Sequence, residues 1–147
     1  MQHAHVDTSQ GLDGGPVVFA CFDLDHEQIA ASVHAIAVTA AERFRTSAMS
    51  ADEVLELREL TALADELGET TPGMRTVVLR PARLSAYRDA AVHFVETRDA
   101  AEWIREEDRE ALAHLRGMLL PLEELCAEAI RAALQSGDQG SPRSAAS

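Results

Sequence analysis

The chain has 147 residues, 46% of them hydrophobic, and its formal net charge is −12. This size and composition are those of one globular domain that builds its own core, and the absence of lysine excludes P-loop, Schiff-base and kinase-type lysine chemistry. The negative charge argues against direct nucleic-acid binding, because affinity for a phosphate backbone comes from basic side chains.

All thirteen basic residues are arginines and asparagine is absent, a pattern that we attribute to GC-rich coding and a bacterial source. Cys21 and Cys126 lie in apolar surroundings without a CxxC motif, which favours buried, reduced thiols. No signal-peptide pattern opens the chain and no apolar run reaches about 18 residues, so we expect a cytoplasmic protein without membrane contact.

The chain divides into a polar segment over 1–15, a single helical domain over 16–135 and a polar segment over 136–147. Both end segments are rich in Gly and Ser and lack hydrophobic periodicity, so we predict flexible tails. His3 and His5 fall in the first segment, where simple solvation is expected more often than a weak metal contact.

The first half of the domain predicts one strand and two helices. Apolar residues over 17–22 are typical of a buried strand. Asp25 and Gln28 form a capping-box-like start for a first helix, and Ser50 and Glu53 form a second such start. The inward positions that we predict from helical spacing are Ile29, Val33, Ile36, Ala37 and Ala40 in the first helix, and Leu57, Leu60, Leu63, Ala64 and Leu67 in the second.

The second half repeats this order. Residues 75–79 predict a second short strand, and Pro81 suits the first turn of a third helix. A longer helical segment follows a joint near 99–104, and Pro121 inside it predicts a kink or break. The predicted inward positions are Leu84, Tyr87, Ala91, Phe94 and Val95 in the third helix, then Leu112, Leu115, Leu119, Leu122, Leu125, Ala129 and Ala133.

A shift of 55 residues superposes the two halves without a gap. Phe22 falls on Val77 and Leu57 falls on Leu112, while the acidic pair Asp52-Glu53 falls on Glu107-Asp108. We therefore predict a mostly α fold with a small β component (α+β), built from two short strands and four to five helices. Its halves over 17–68 and 75–135 are candidates for a duplicated strand-helix-helix unit, although Leu-rich helix pairs also match by chance. A ribbon of two strands is marginal alone, which favours a homodimer.

Catalytic and metal signatures are absent from the sequence: no GxSxG or GxGxxG occurs, and we predict no catalytic residue, no metal site and no cofactor. The pairs His93/Glu96 and Glu110/His114 have helical spacing, but neither matches the Glu-x-x-His order of bundle metal centres. The ionisable cluster over 23–27 is better explained by helix capping than by acid–base chemistry.

Charge is unevenly distributed, with acidic stripes on the second and fourth helices and arginines between them. Arg80 and Arg83 flank Pro81 at a helix N-terminus, where free N–H groups favour an anionic ligand. Pairing of these arginines with the acidic helices is the more common arrangement.

We expect a non-enzymatic, cytoplasmic interaction or regulatory module that forms a homodimer, with the acidic helices or the Arg-bearing segment as a charged contact surface for a protein partner. The alternative is a small-molecule-binding protein or enzyme with a pocket between the helices, for which Arg83, Tyr87, His93 and Trp103 are the first candidates. A third hypothesis, an acidic protein that covers the basic surface of a nucleic-acid-binding partner, depends on the same charge pattern as the first.

Overall fold

The computed structural model of the chain describes residues 1–46, 48–69 and 73–137. Within these residues, three strands and four helices follow one another in the order β1, β2, α1, α2, β3, α3, α4. Their bounds are Gln2–Gln10 for β1, Pro16–Leu24 for β2, His26–Thr46 for α1, Ala51–Gly68 for α2, Arg75–Leu79 for β3, Pro81–Asp99 for α3 and Glu106–Ser136 for α4. The α+β class, mostly helical with a small sheet, is thus confirmed.

The sheet is antiparallel throughout, with β2 between β1 and β3. Strand β2 alternates, so that Val18, Ala20, Phe22 and Leu24 are buried against the helices. The opposite side, called here the outer face, carries no helix in the described part of the chain. The expectation of two strands was therefore one strand short.

Residues 1–15 differ from the flexible tail that their polar composition predicted. Gln2–Gln10 pair with β2, and a tight turn closes the hairpin, in which the Gly11 N–H donates to the Gly15 carbonyl at 2.7 Å. Gly14 has a φ of 82°, which glycine adopts without strain. The sequence of β1 lacks the alternation of polar and apolar residues that marks a half-buried strand, because all but one of its positions are exposed.

Capping chemistry explains where α1 and α2 begin. The Gln28 N–H donates to Asp25 Oδ1 at 2.8 Å and the Asp25 N–H donates to Gln28 Oε1 at 3.1 Å, so the predicted reciprocal cap of α1 is confirmed. The Glu53 N–H donates to Ser50 Oγ at 3.2 Å. The return contact of Glu53 is made with the Ser50 hydroxyl rather than with its N–H.

Helix α4 is continuous across Pro121, so the predicted break is wrong. A proline removes one backbone hydrogen bond, to the carbonyl of residue 117, and this loss is local. Leu115 and Met118 precede it and Leu122 and Leu125 follow it, all buried, so both parts of the helix pack into the core.

The helices cover the inner face of the sheet and enclose one core. Most predicted inward positions are buried; the exceptions are Ala37, which is exposed, and Val33 and Leu119, which are partly exposed. No helix in the described residues is long and apolar enough to cross a membrane. Residues 70–72, and the part of the predicted C-terminal tail beyond residue 137, lie outside the described residues.

The 55-residue shift relates the observed elements as well as the sequence. Helices α1 and α3 begin at 26 and 81, α2 and α4 at 51 and 106, and β2 and β3 end at 24 and 79. In the sheet, Phe22 pairs with Val77, its own equivalent under the shift. Ser32 and Tyr87, also 55 residues apart, are hydrogen-bonded in the core.

Candidate functional site

A concave site that carries ionisable side chains lies between α1 and α4, and we call it the α1/α4 cleft. Its volume is about 670 Å³, within the range of roughly 300–1,000 Å³ of ligand pockets. It is lined by four alanines (Ala30, Ala31, Ala111, Ala113), three histidines (His26, His34, His114) and three glutamates (Glu27, Glu107, Glu110).

Helical spacing determines this lining. On α1, residues 26, 27, 30, 31 and 34 recur every three or four positions and therefore share one face. On α4, residues 107, 110, 111 and 114 do the same. The small alanine side chains allow the cleft to open between the helices, and the longer residues form its rim. His114 Nε2 lies 3.5 Å from Glu27 Oε2 across the cleft, whereas Glu107 and Glu110 form no ion pair within the described residues.

At one end of the cleft a charged network joins α1, α3 and α4. His34 Nε2 donates to Asp108 Oδ1 at 2.7 Å, and Arg98 Nε lies 3.3 Å from Asp108 Oδ2. Arg98 also donates to Glu42 Oε1 at 2.9 Å. The guanidinium of Arg98 and the ring of His34 both contact Phe94, which lies between them and the core.

The network stabilises the ionised form of Asp108. Burial by itself raises the pKa of this carboxyl, but hydrogen bonds from His34 and Arg98 together with their charge outweigh it, so the pKa lies below its ordinary value. Since a carboxylate only accepts, the Nε2 atom of His34 carries a proton in this contact. A histidine oriented by a carboxylate is the arrangement that general bases use.

A second cleft, the α2/α3 cleft, has a volume of about 490 Å³ and contains two of the predicted ligand residues, Arg80 and Arg83. The Arg80 guanidinium lies 5.6 Å from the centre of the Phe19 ring. Arg83 donates to Glu59 Oε2 at 2.9 Å and to Glu66 Oε2 at 3.2 Å. Arg83 is therefore paired with α2, the arrangement that the charge pattern favoured over a bound anion.

The other three predicted ligand residues do not join them. Tyr87 is 1% exposed in the core, where its hydroxyl bonds to Ser32 and burial raises its pKa to about 12. His93 lies 3.5 Å from Glu42, away from both arginines. Trp103 is 76% exposed in the segment between α3 and α4.

Sequence reasoning did not find the centre of the α1/α4 cleft. His34 and Asp108 are 74 residues apart, and no short motif records such a pair. His114 was noted with Glu110, its neighbour on α4, whereas its ion partner is Glu27 on α1. The sequence offered one signal: Asp108 is an acidic residue at a position of α4 where helical spacing places an inward side chain.

Two further observations bear on cofactors. Among the described residues, His5, Asp7 and Cys21 have ligand atoms that all lie within 4.8 Å of one another, close enough to share a cation. Cys126 is buried, and burial raises the pKa of its thiol to about 11, which makes it a poor nucleophile. Comparison of the chain with known protein families, curated proteins and solved structures finds no match.

Proposed function

We propose that this protein is a non-enzymatic interaction module of a bacterial cytoplasm, and that it binds a basic helical segment of a protein partner in the α1/α4 cleft. The proposal depends on one observation. Alanines line a cleft between two helices, and the carboxylates of Glu27, Glu107 and Glu110 also line it. Small residues allow a partner helix to approach closely, and the carboxylates select lysine or arginine on it.

The charge of the whole chain supports the same class of partner. A net charge of −12 attracts a basic segment over a distance of several ångströms and raises its rate of association. Glu107 and Glu110 are exposed, and without ion-pair partners in the described residues they are available for intermolecular pairing. In the α2/α3 cleft, by contrast, Arg83 already occupies Glu59.

A defined probe tests this proposal. A fluorescent amphipathic helical peptide with lysines on one face and alanine and leucine on the other should bind the purified protein, and its affinity should fall as salt rises. The double variant Glu107→Gln/Glu110→Gln should bind more weakly than Glu124→Gln/Glu128→Gln. The second variant removes two exposed carboxylates from the same helix outside the cleft, so equal affinities would attribute binding to net charge and contradict the proposal.

A specific observation also favours the alternative, a small-molecule-binding protein or enzyme. The His34 side chain lines the α1/α4 cleft and is 30% exposed, and Asp108 fixes its orientation. Native mass spectrometry of protein purified from its own host would detect a bound small molecule as extra mass that disappears on denaturation. Loss of that mass in His34→Gln, with retention in Glu107→Gln/Glu110→Gln, would favour this function over the interaction module.

We further propose that the chain forms a homodimer through its sheet. Strand β3 pairs with β2 along one edge, and the described residues add no strand to its other edge. Val78 is 54% exposed on the outer face of β3, and such an edge offers a template for pairing with a second copy. Light scattering should give twice the chain mass for the native protein and the chain mass for Val78→Glu; a monomer at micromolar concentration would contradict the dimer.

Finally, we propose that the two halves arose by duplication of a strand-helix-helix unit. The equal spacing of element boundaries supports this origin, as does the pairing of Phe22 with Val77, which is the arrangement that an axis of pseudo-two-fold symmetry requires. The hydrogen bond between Ser32 and Tyr87 lies near the same axis.

A further inference from the structure

The outer face of the sheet carries a cluster of nitrogen, oxygen and sulfur donors where β1 meets β2. His5 lies directly opposite Cys21 in the antiparallel register, and Asp7 is two residues further along β1, on the same face. His5 Nε2 lies 3.1 Å from Asp7 Oδ2, and Cys21 Sγ lies 3.8 Å from the same oxygen. Three donors from two strands thus converge on one point.

The hydrogen bond on the far side of the His5 ring decides which nitrogen faces this point. His5 Nδ1 is 2.8 Å from the carbonyl oxygen of His3. A carbonyl oxygen can only accept, so Nδ1 carries a proton and donates it. Orientation of a histidine by a backbone carbonyl in this way, with the other nitrogen directed at the ion, is typical of metal ligands.

This orientation leaves Nε2 of the neutral ring facing Asp7 Oδ2, although both atoms are acceptors. Two acceptors 3.1 Å apart require either a proton or a cation to hold them together. A proton would make His5 an imidazolium paired with Asp7, while the Cys21 thiol donates to the same carboxylate oxygen. A metal ion would satisfy all three donors.

The donor set and the spacing both fit zinc. Zinc binds imidazole nitrogen, carboxylate oxygen and thiolate sulfur at roughly 2.0 to 2.3 Å in a tetrahedron, so its ligand atoms lie about 3.3 to 3.8 Å apart. Two of the observed separations, 3.1 and 3.8 Å, are close to this spacing, and all three ligand atoms lie within 4.8 Å of one another. We propose that His5, Asp7 and Cys21 bind one zinc ion on the outer face of the sheet, with the fourth position open to water or to a further ligand.

A zinc ion here would fix β1 to the rest of the sheet. Strand β1 is almost entirely exposed, and few of its side chains reach the core. Binding replaces the thiol proton of Cys21, which leaves to solvent, by a metal–sulfur bond between β2 and β1. The hairpin would then be held by a metal clip in addition to its backbone hydrogen bonds.

The test uses full-length protein without a polyhistidine tag, stripped with a chelator and titrated with Zn²⁺ in a calorimeter. We expect one ion per chain, and Co²⁺ in its place should give the near-ultraviolet absorption of a cobalt–thiolate bond. Cys21→Ser and Asp7→Asn should each weaken zinc binding by roughly tenfold or more and Cys21→Ser should remove the absorption. Asp7 is exposed and Cys21 is 9% exposed, and circular dichroism would verify that the variants fold.

Two control variants remove the same residue types elsewhere. Cys126→Ala deletes the second cysteine and His114→Gln deletes a histidine of the α1/α4 cleft, and both should bind zinc like the native chain. Failure to bind zinc would overturn the proposal and leave an imidazolium paired with Asp7. Binding that depends on His3 and His5 but not on Asp7 or Cys21 would also overturn it, since two neighbouring histidines would then suffice.

Discussion

The α1/α4 cleft and the α2/α3 cleft occupy equivalent places in the two halves, yet they carry different chemistry. Under the 55-residue shift, Ala111 and His114 of the first cleft correspond to Glu56 and Glu59 of the second, and Glu27 corresponds to Ala82. In the second cleft an arginine neutralises the carboxylates of α2, whereas in the first the carboxylates face histidines. One backbone arrangement thus supports two surfaces, because function depends on the side chains placed on it.

The same contrast holds at the start of the second helix of each half. Glu53 of α2 and Asp108 of α4 are equivalent positions. Glu53 is exposed and is hydrogen-bonded to its own cap, Ser50, whereas Asp108 is 8% exposed and joins α1 and α3 to α4. The two equivalent acidic residues therefore have different roles: Glu53 acts within its own helix cap, whereas Asp108 links three helices. Substitutions at the two positions should have effects of different size.

The largest effect is expected for Asp108→Asn. Loss of this charge leaves Arg98 and His34 without their buried partner, and removal of one member of a buried pair costs roughly 3 kcal/mol. Glu53→Gln should change the free energy of unfolding by less than about 0.5 kcal/mol, as exposed substitutions do. Urea denaturation measures both. A similarly small change in the free energy of unfolding in both variants would mean that the network contributes little to stability.

The same residue predicts a dependence on pH. The pKa of Asp108 is lower in the folded chain than the roughly 3.9 of a free aspartate. Its contribution to stability is therefore fully present above that value and is lost as the pH falls through the folded-state pKa. Stability measured from pH 6 down to about 3 should fall less steeply in Asp108→Asn than in the native chain; parallel curves would assign acid sensitivity to other carboxyls.

Exchange of two paired residues tests whether the two halves are equivalent at the pseudo-two-fold axis, and its expected effect on stability is smaller. Phe22→Val opens a cavity and Val77→Phe overfills its site, and each should cost about 1 to 3 kcal/mol. If the two paired positions are equivalent, the double exchange restores their joint volume and should recover roughly 1 kcal/mol of the sum. Recovery will be partial, because the edge-to-face contact between Phe22 and Tyr87 is lost. Strictly additive losses would contradict the symmetry.

Local signals in the sequence were sufficient for most of the fold. The caps at Asp25 and Ser50 and the apolar spacing of α2 and α3 depend on residues within one or two turns, and these predictions are confirmed. Strand β1 could not be predicted because its pairing with β2 is made by the backbone, while its side chains are polar and exposed. Continuity of α4 across Pro121 depends on packing by distant residues, which a local rule for proline does not include.

The candidate sites were harder to predict for a related reason. Arg83 was selected for its place at a helix N-terminus, and only the fold brings Glu59 and Glu66 of another helix onto it. The pair His34 and Asp108 and the cluster of His5, Asp7 and Cys21 are likewise made by contacts between separate elements. The prediction of a tail over 1–15 made solvation the expected state of His5, and it gave no reason to place His5 and Asp7 beside Cys21.

The smallest expected effects concern the caps of the two equivalent helices. Ser50 and Arg105 have nearly the same backbone angles, with φ of −68° at both, but only Ser50 supplies a side-chain acceptor. Ser50→Ala should therefore lower stability by about 1 kcal/mol, and Arg105→Ser should raise it by about 0.5 to 1 kcal/mol, because its hydroxyl can accept from the Asp108 N–H. Thermal unfolding of both variants measures the expected loss of stability in Ser50→Ala and the expected gain in Arg105→Ser. No gain from Arg105→Ser would mean that Arg105 stabilises the start of α4 in another way, which would be a further difference between the two halves.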